Sequence, residues 1–192
     1  MIFITIQVIH IGDKLTHMMD VVVEEGCYGI AYFQHSFILG FHSPAPRVVR
    51  MSKEGEVLNT LRYDSSGNTL FCIPSYIHVE NTTDSARILV LDHPKMTVYM
   101  LDEGLQLLQA FKQPSFGEPH GLAVVGGGQV LVVDMLTCTL QLLDLTTGRW
   151  RTLLGKEEGL RAPRGLAYNK ARKQLYIGCY EGVIVNVYTL SE

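Results

Sequence analysis

Pro119-His120-Gly121-Leu122-Ala123-Val124 and Pro163-Arg164-Gly165-Leu166-Ala167-Tyr168 share the frame Pro-x-Gly-Leu-Ala, and their glycines lie 44 residues apart. Each segment is followed by a turn and then by an apolar strand, at 129–134 in one copy and at 174–179 in the other. A further apolar segment follows in both copies. The chain is therefore built from a repeated unit, and the repeat decides the fold.

Two weaker copies precede this pair. One opens at Ile73-Pro74-Ser75-Tyr76-Ile77 and continues with apolar strands at 87–92 and 97–101. The other opens at Tyr28-Gly29-Ile30-Ala31-Tyr32 and is followed by strands at 36–41 and 47–51. The four copies begin 45, 46 and 44 residues apart, which coincidence does not explain.

Each unit contains four short strands, which we name a, b, c and d in chain order. In the third unit they are predicted at 121–125, 129–134, 139–145 and 149–154. A glycine recurs in the c–d turn, at Gly55, Gly104 and Gly148, and supplies the positive φ of a tight hairpin. Runs that are apolar on both faces suit strands packed between two sheets. Four strands in a unit of this length are typical of a β-propeller blade.

The whole chain, 1–192, is interpreted as one all-β propeller domain. Its units are 1–25, 28–70, 71–117, 118–162 and 163–190. The first unit holds strands c and d and the last holds a, b and c, so we expect 17 strands and about four blades. A six-bladed ring needs about 24 strands. Three alternatives follow: part of a larger ring, a compact ring closed by the N-terminal strands, or open edges that pair with another chain.

Composition narrows the classes of function. The chain is 47% hydrophobic and 18% charged, so it can bury a core, and its net charge of −3 argues against a general electrostatic attraction to nucleic acid or anionic membrane. The apolar segment at 3–11 has no basic leader and is too short to span a bilayer, so we predict a strand and no membrane partner.

The four cysteines are isolated from one another. Cys27, Cys72, Cys138 and Cys179 form no CxxC motif, so the sequence gives no local support for a zinc site. A chain of this length needs no disulfides, and we expect buried free thiols and a cytoplasmic location.

The third unit resembles an NHL repeat in its Pro119–Val124 segment, its glycine-rich turn, Val130-Leu131-Val132-Val133-Asp134, and Leu140–Asp144 with Gly148. NHL propellers commonly have six blades and often form the C-terminal domains of tripartite-motif proteins. Asp92 and Asp134 match the family's Asp after strand b, whereas Gly40 and Cys179 do not. The resemblance implies a non-catalytic binding module, and ubiquitin-ligase activity would need a RING module that these residues lack.

No catalytic residue, metal ligand or cofactor is predicted. The sequence lacks GxSxG, HExxH, Walker A and Rossmann motifs, and Gly126-Gly127-Gly128 fits a hairpin turn. Lactonase-like propellers hold calcium near the axis, so a calcium-dependent hydrolase is one alternative. Its candidate ligands are Asp92, Asp134 and Glu118, although strand-end capping is the favoured role of these carboxylates.

Binding is expected on the face that carries the d–a and b–c loops, here called the top face, because loops on a rigid scaffold commonly bind partners. The candidate residues are His42, Arg47, His93, Lys95, His120, Arg161, Arg164 and Tyr180. A protein partner is expected, and no small-molecule substrate. Single-stranded RNA is the alternative, because residues 147–173 carry a net charge of +6, but the repeat divides these charges between opposite faces.

Overall fold

The computed structural model describes residues 3–11, 13–81, 85–179 and 184–189. These residues form 17 strands in five antiparallel sheets. The strands of the N-terminal pair are β1 (Phe3–Ile11) and β2 (Leu15–Glu24). Sheet 1 consists of β3 (Cys27–Phe33), β4 (Ser36–Phe41), β5 (Arg47–Ser52) and β6 (Val57–Leu61). Sheet 2 consists of β7 (Pro74–Asn81), β8 (Ala86–Asp92), β9 (Thr97–Leu101) and β10 (Leu107–Lys112).

Two sheets complete the described chain. Sheet 3 consists of β11 (Pro119–Gly126), β12 (Gln129–Asp134), β13 (Thr139–Asp144) and β14 (Trp150–Leu154). Sheet 4 consists of β15 (Pro163–Asn169), β16 (Gln174–Cys179) and β17 (Ile184–Thr189). Within every sheet the strands pair in chain order. The described residues contain no helix long and apolar enough to cross a membrane.

In each of sheets 1 to 4 the first strand is the inner strand. β3 contacts β7, β7 contacts β11, and β11 contacts β15, so these four strands follow one another around a common axis. The remaining strands of each sheet extend outward from that axis. This is the blade arrangement of a β-propeller, and it confirms the predicted all-β propeller of about four blades.

Four apolar cores lie between successive sheets. Sheets 1 and 2 enclose Ile38, Val48, Ile88 and Val90, and sheets 2 and 3 enclose another core built around Leu89 and Val132. Because strand b is covered on both faces, all six residues of β4 and the last five of β12 are buried. The continuous apolar runs of these strands therefore have a structural cause.

The c–d turns differ from the expected glycine pattern at one place. Gly55 and Gly148 have positive φ angles of 89° and 68°. In sheet 2 the positive φ, 62°, falls on Leu105 instead of Gly104. Leu105 is 1% exposed in the core between sheets 1 and 2, and burial of its side chain offsets the cost of this conformation.

Two further details differ from the sequence interpretation. The residue at the position of Asp92 and Asp134 in sheet 1 is Phe41, because Cys27 pairs with Phe41 as Pro74 pairs with Asp92. The prediction that used Gly40 was one residue out of register. All four thiols are free, as expected, but none is fully buried: Cys27, Cys138 and Cys179 are half-buried, and Cys72, in the loop before β7, is exposed.

The N-terminal pair and sheet 4 stand at the two ends of the arc. β1 pairs with β2 and β17 pairs with β16, and among the described strands neither has a second partner. The N-terminal pair packs Val21 and Val23 against β4 and β5 of sheet 1. The compact ring that would be closed by pairing the N-terminal strands with the last sheet is thus not formed by the described strands.

Candidate functional site

A cavity of about 310 Å³ opens on the top face beside the inner strands. All four numbered sheets contribute to its wall. Its lining consists of Tyr28, His42, Ile73, Ser75, Tyr76, His93, Glu118, His120 and Arg164. Because side chains from sheets 1 to 4 converge on this cavity, it is the candidate functional site.

One residue position of the repeat supplies four of the lining residues. Tyr28, Ser75, His120 and Arg164 are each the second residue of an inner strand. The antiparallel register shifts at this residue in sheets 1, 2 and 4, and one residue later, at Gly121, in sheet 3, so each inner strand has a bulge near its start. Because a bulge redirects side chains, it turns this position towards the axis instead of into an inter-sheet core.

A second repeat position follows strand b. His42 comes directly after β4 and His93 directly after β8, and both line the cavity. The rings of Tyr28 and His42 pack edge to face, with their centroids 4.6 Å apart. Sheet 1 therefore presents an aromatic pair at the cavity mouth, where Tyr28 is 64% exposed.

The fully buried Asp134 carboxylate holds the cavity loop of sheet 3 in place. Its Oδ2 accepts the backbone N–H groups of Gly117 at 2.7 Å and Glu118 at 3.1 Å, and its Oδ1 accepts that of Thr137 at 2.7 Å. One carboxylate thus joins the d–a loop to the b–c turn. The loop that carries Glu118 and leads into His120 is consequently fixed.

Asp92 does the same in sheet 2. Its carboxylate accepts the backbone N–H groups of Cys72 at 2.5 Å, Ile73 at 3.2 Å and Lys95 at 3.4 Å. These bonds fix the segment that leads into Ser75. Both aspartates act as strand-end caps, the role favoured from the sequence, and their oxygens are used by backbone amides.

A hydrogen-bonded chain crosses the cavity floor. His120 is 6% exposed, and its Nε2 lies 3.1 Å from Glu118 Oε1, while its Nδ1 lies 3.1 Å from the Tyr76 hydroxyl. Because the carboxylate of Glu118 can only accept, Nε2–H donates to it, and Nδ1 shares the second hydrogen bond with the Tyr76 hydroxyl. Burial raises the pKa of Tyr76 above its ordinary value of 10.0, which keeps this phenol protonated.

His93 adds a second imidazole to the site. Its ring stacks on that of His120, with centroids 5.8 Å apart and planes inclined by 20°. Burial lowers the pKa of His93 below 6.5, and the neighbouring His120 lowers it further. His93 is therefore neutral at pH 7.

Two buried polar atoms of the lining have no hydrogen-bond partner among the described residues. They are the Ser75 hydroxyl oxygen and His93 Nδ1. Buried polar atoms are nearly always paired, so these two atoms are exceptions within the wall.

The structure brings together four of the eight residues named from the sequence: His42, His93, His120 and Arg164. Arg47 instead contacts Glu24 at 2.8 Å and the Ala45 carbonyl at 2.9 Å. Lys95 Nζ donates to the Thr69 and Leu70 carbonyls.

Arg161 also lies outside the described cavity lining. Arg161 donates to the Lys156 and Leu160 carbonyls at 3.1 and 3.2 Å. Tyr180 lies outside the described residues.

Tyr28, Ser75 and Tyr76 were absent from the residues named from the sequence. The signal for the first two was present, since His120 and Arg164 were seen to share a repeat position. Applying that position to the two weaker copies gives Ser75 and Tyr28. The sequence did not reveal the bulge, which aligns the first residues of these two copies with those of the clearer copies.

A larger cleft, of about 530 Å³, lies on the outer part of sheet 2. Its lining runs from Pro94 to Lys112 and comes from one sheet, and its lysine at 95 is bound to backbone carbonyls. The axial cavity is the better candidate because four sheets converge on it. No group of three or more His, Cys, Asp or Glu side chains in the described segments could hold a metal ion.

Comparisons with known proteins support the fold. A functionally unknown protein from Desulfotomaculum acetoxidans superposes with a TM-score of 0.70 at 11% identity over 97% of this chain and 59% of that one. Streptogramin B lyase gives 0.65 at 14% over 97% and 62%, and the β-propeller domain of Myceliophteria thermophila Cps50 (Swd1) gives 0.61 at 14% over 86% and 51%. The chain thus spans 51 to 62% of the length of these proteins.

Identity this low shows the shared fold alone. The propeller prediction is confirmed by these likenesses. No protein-family model matches the chain, and no curated protein matches it, so the NHL resemblance stays a prediction.

Proposed function

We propose that the chain is a non-catalytic protein-binding module and that the top-face cavity receives a short peptide segment of its partner. The observation that carries this proposal is the second residue of each inner strand. Tyr28, Ser75, His120 and Arg164 converge there from four different sheets on one cavity. Because the rigid sheets hold these residues, the cavity wall loses little conformational entropy when a partner binds.

The size of the cavity supports a peptide side chain as its occupant. Its volume of about 310 Å³ is at the lower end of the range for ligand sites. Tyr28 and Tyr76 present aromatic surface, and tyrosine is enriched at the energetically dominant positions of protein interfaces. The surrounding loops would contact the flanking residues of the partner.

Fixed loops further support recognition. Asp92 and Asp134 bind the backbone of the segments that carry the cavity residues of sheets 2 and 3. A preorganised surface loses less conformational entropy on binding. Few of the lining side chains therefore need to change conformation when a peptide enters.

Selection from a displayed random-peptide library on the intact chain tests the proposal. We expect selected peptides to lose at least about tenfold in affinity for Tyr28→Ala, because truncating an aromatic anchor commonly costs more than 1 kcal/mol. Tyr63→Ala is the matched control, since Tyr63 is also an exposed tyrosine, 50% against 64%, and lies outside the cavity lining.

Equal affinity of the two variants for the selected peptides would contradict the proposal, and so would a library that yields no binder. A single-stranded RNA oligonucleotide is tested in parallel. Affinity for RNA that falls steeply with salt, without affinity for any peptide, would favour the RNA alternative.

A further inference from the structure

We propose that the chain has a second interaction surface, a groove behind β3, and that this groove receives a β-hairpin of a partner protein. The hairpin pairs with the free edge of β1 and packs small side chains against Ile30 and Tyr32 of β3. Neither residue belongs to the lining of the top-face cavity, so the inference goes beyond the proposed function and does not rest on it.

The fourth and sixth residues of the inner strands have a constant role in three sheets. They pack against the preceding sheet, and they are Ile77 and Val79 in sheet 2, Leu122 and Val124 in sheet 3, and Leu166 and Tyr168 in sheet 4. In sheet 1 the same positions hold Ile30 and Tyr32, which are 50% and 52% exposed. Two large side chains that the repeat elsewhere places in a core are thus uncovered.

The position of the N-terminal pair explains why this part of sheet 1 is uncovered. β2 lies over β5, because Glu24 near the end of β2 bonds Arg47 of β5 at 2.8 Å. The core behind sheet 1 joins Ile6 of β1 to residues of β4, so β1 lies over β4. The next place towards the axis, over β3, is the groove. Among the described strands β1 pairs only with β2, so its other edge forms the side of this groove.

An open strand edge beside an apolar floor favours an extended segment as the occupant. The edge presents backbone N–H and C=O groups to an added strand, and alternate side chains of that strand reach the floor. In sheets 2, 3 and 4 the inner strand contacts both the first and the second strand of the preceding sheet. Two strands therefore cover an inner strand in this fold, and a hairpin fits the groove behind β3.

The neighbours of the equivalent residues define the chemistry of the hairpin. A Cβ on Gly29 would lie 2.9 Å from Cγ1 of Ile77, the counterpart of Ile30 in sheet 2. A Cβ on Gly121 would lie 3.0 Å from Cβ of Leu166, the counterpart in sheet 4. We therefore assign to the partner a glycine opposite Ile30. A charged side chain there would lose water without gaining a hydrogen bond.

A second copy of this chain is a poor source of the hairpin. The strands that correspond to the one added beside β1 are β4, β8, β12 and β16, and each is paired on both edges. None of them can pair with β1 without breaking its own sheet. The groove therefore favours a partner of different sequence.

A closed hairpin peptide tests the inference on the intact chain. Its sequence is that of residues 163–179 with Pro163→Cys, so that a disulfide to Cys179 joins two positions that are paired in sheet 4. The peptide carries a pair of facing glycines at 165 and 178, as sheet 1 does at 29 and 40. We expect saturable binding, shifted NMR signals of Ile30 and Tyr32, and slower amide hydrogen exchange along β1.

A variant peptide and a variant chain assign the contact to residues. Gly178→Val in the peptide should weaken binding at least about tenfold, because the added side chain prevents close approach. Ile30→Ser in the chain should weaken it by a similar factor, because the floor loses apolar surface. Leu108→Ser is the matched control, since Leu108 is 53% exposed on β10 of sheet 2, and it should leave binding unchanged.

Several results would overturn the inference. They are no binding of the closed peptide, equal binding of its Gly178→Val form, equal effects of Ile30→Ser and Leu108→Ser, or binding without protection of the β1 amides. The peptide comparison uses the unchanged chain, so it decides the question even if Ile30→Ser unfolds the domain.

Light scattering of the intact chain separates the remaining occupant. Self-association that Ile30→Ser abolishes and Leu108→Ser does not would assign the groove to a second copy and overturn the inference. The proposed function is judged separately, through the Tyr28 dependence of library peptides, so either proposal can fail while the other stands.

Discussion

Sheet 1 and sheet 4 carry the same pair of glycines at the same register. Gly29 pairs with Gly40 in sheet 1, and Gly165 pairs with Gly178 in sheet 4. A Cβ on Gly40 would overlap the Pro74 carbonyl oxygen of sheet 2. A Cβ on Gly178 would meet only Gly165 of its own sheet, at 3.9 Å. The same sequence feature therefore has two different consequences.

The difference arises from what covers each sheet. β7 lies directly against the glycine pair of sheet 1, whereas no described residue covers the corresponding face of sheet 4. That face presents Ala167, Tyr176, Val185 and Val187, and the two valines are 61% and 52% exposed. The comparison teaches that the repeat specifies which residues lie on the face towards the following sheet. Whether that sheet covers them determines how much stability a substitution there costs.

The largest effect is expected at the two glycines. Gly40→Ala should lower the free energy of unfolding by about 3 kcal/mol or more, because the backbone carbonyl of Pro74 cannot move aside as a side chain can. Gly178→Ala should change it by less than about 0.5 kcal/mol. Urea denaturation of both variants measures the difference. Similar losses in the two variants would show that coverage by sheet 2 is not the cause.

The ends of strand b sharpen the comparison, because sheets 1 and 4 lack the aspartate that sheets 2 and 3 carry there. Asp134→Ala leaves three backbone N–H groups without their acceptor and should cost about 2 to 3 kcal/mol of stability. Cys179→Ala, at the same position of sheet 4, should cost less than about 1 kcal/mol. Denaturation curves followed by circular dichroism test this. Equal losses would mean that the carboxylate contributes no more than ordinary packing.

A smaller effect is expected at two equivalent valines of strand c. Val48 pairs with Gly40 and is 0% exposed, and Val185 pairs with Gly178 and is 61% exposed. Val48→Thr places a hydroxyl in the core between sheets 1 and 2 and should cost about 1 to 2 kcal/mol. Val185→Thr should be nearly neutral. Thermal unfolding measures both, and a stability loss in Val185→Thr as large as that in Val48→Thr would show that the sheet 4 face is covered in solution.

Much of this fold could be predicted from the sequence. The strands at 36–41, 97–101, 129–134 and 174–179 have the predicted bounds, since turn residues and apolar runs are local signals. Contacts between sheets are not local. The close approach of Pro74 to Gly40 and the left-handed conformation of Leu105 both depend on a neighbouring sheet, so the pattern of one unit does not reveal them.

The site was only half predictable for a related reason. Repeat position identified His120 and Arg164 and placed His42 and His93 on the top face, and all four line the cavity. The same loop positions also predicted Arg47, Lys95 and Arg161, but the long side chains of these residues reach backbone carbonyls nearby. A sequence pattern predicts the face of the domain on which a residue lies, but it does not predict which neighbouring atoms a long side chain contacts.

The bulge at the start of each inner strand separates the evolution of recognition from that of stability. Each repeat contributes to the cavity the second residue of its inner strand, which is Tyr28, Ser75, His120 or Arg164. Exchange of the exposed Tyr28 would alter the cavity wall without opening an inter-sheet core, whereas exchange of the buried His120 would also remove its hydrogen bonds to Tyr76 and Glu118. Duplication or exchange of a whole repeat would replace one wall of the cavity in a single event.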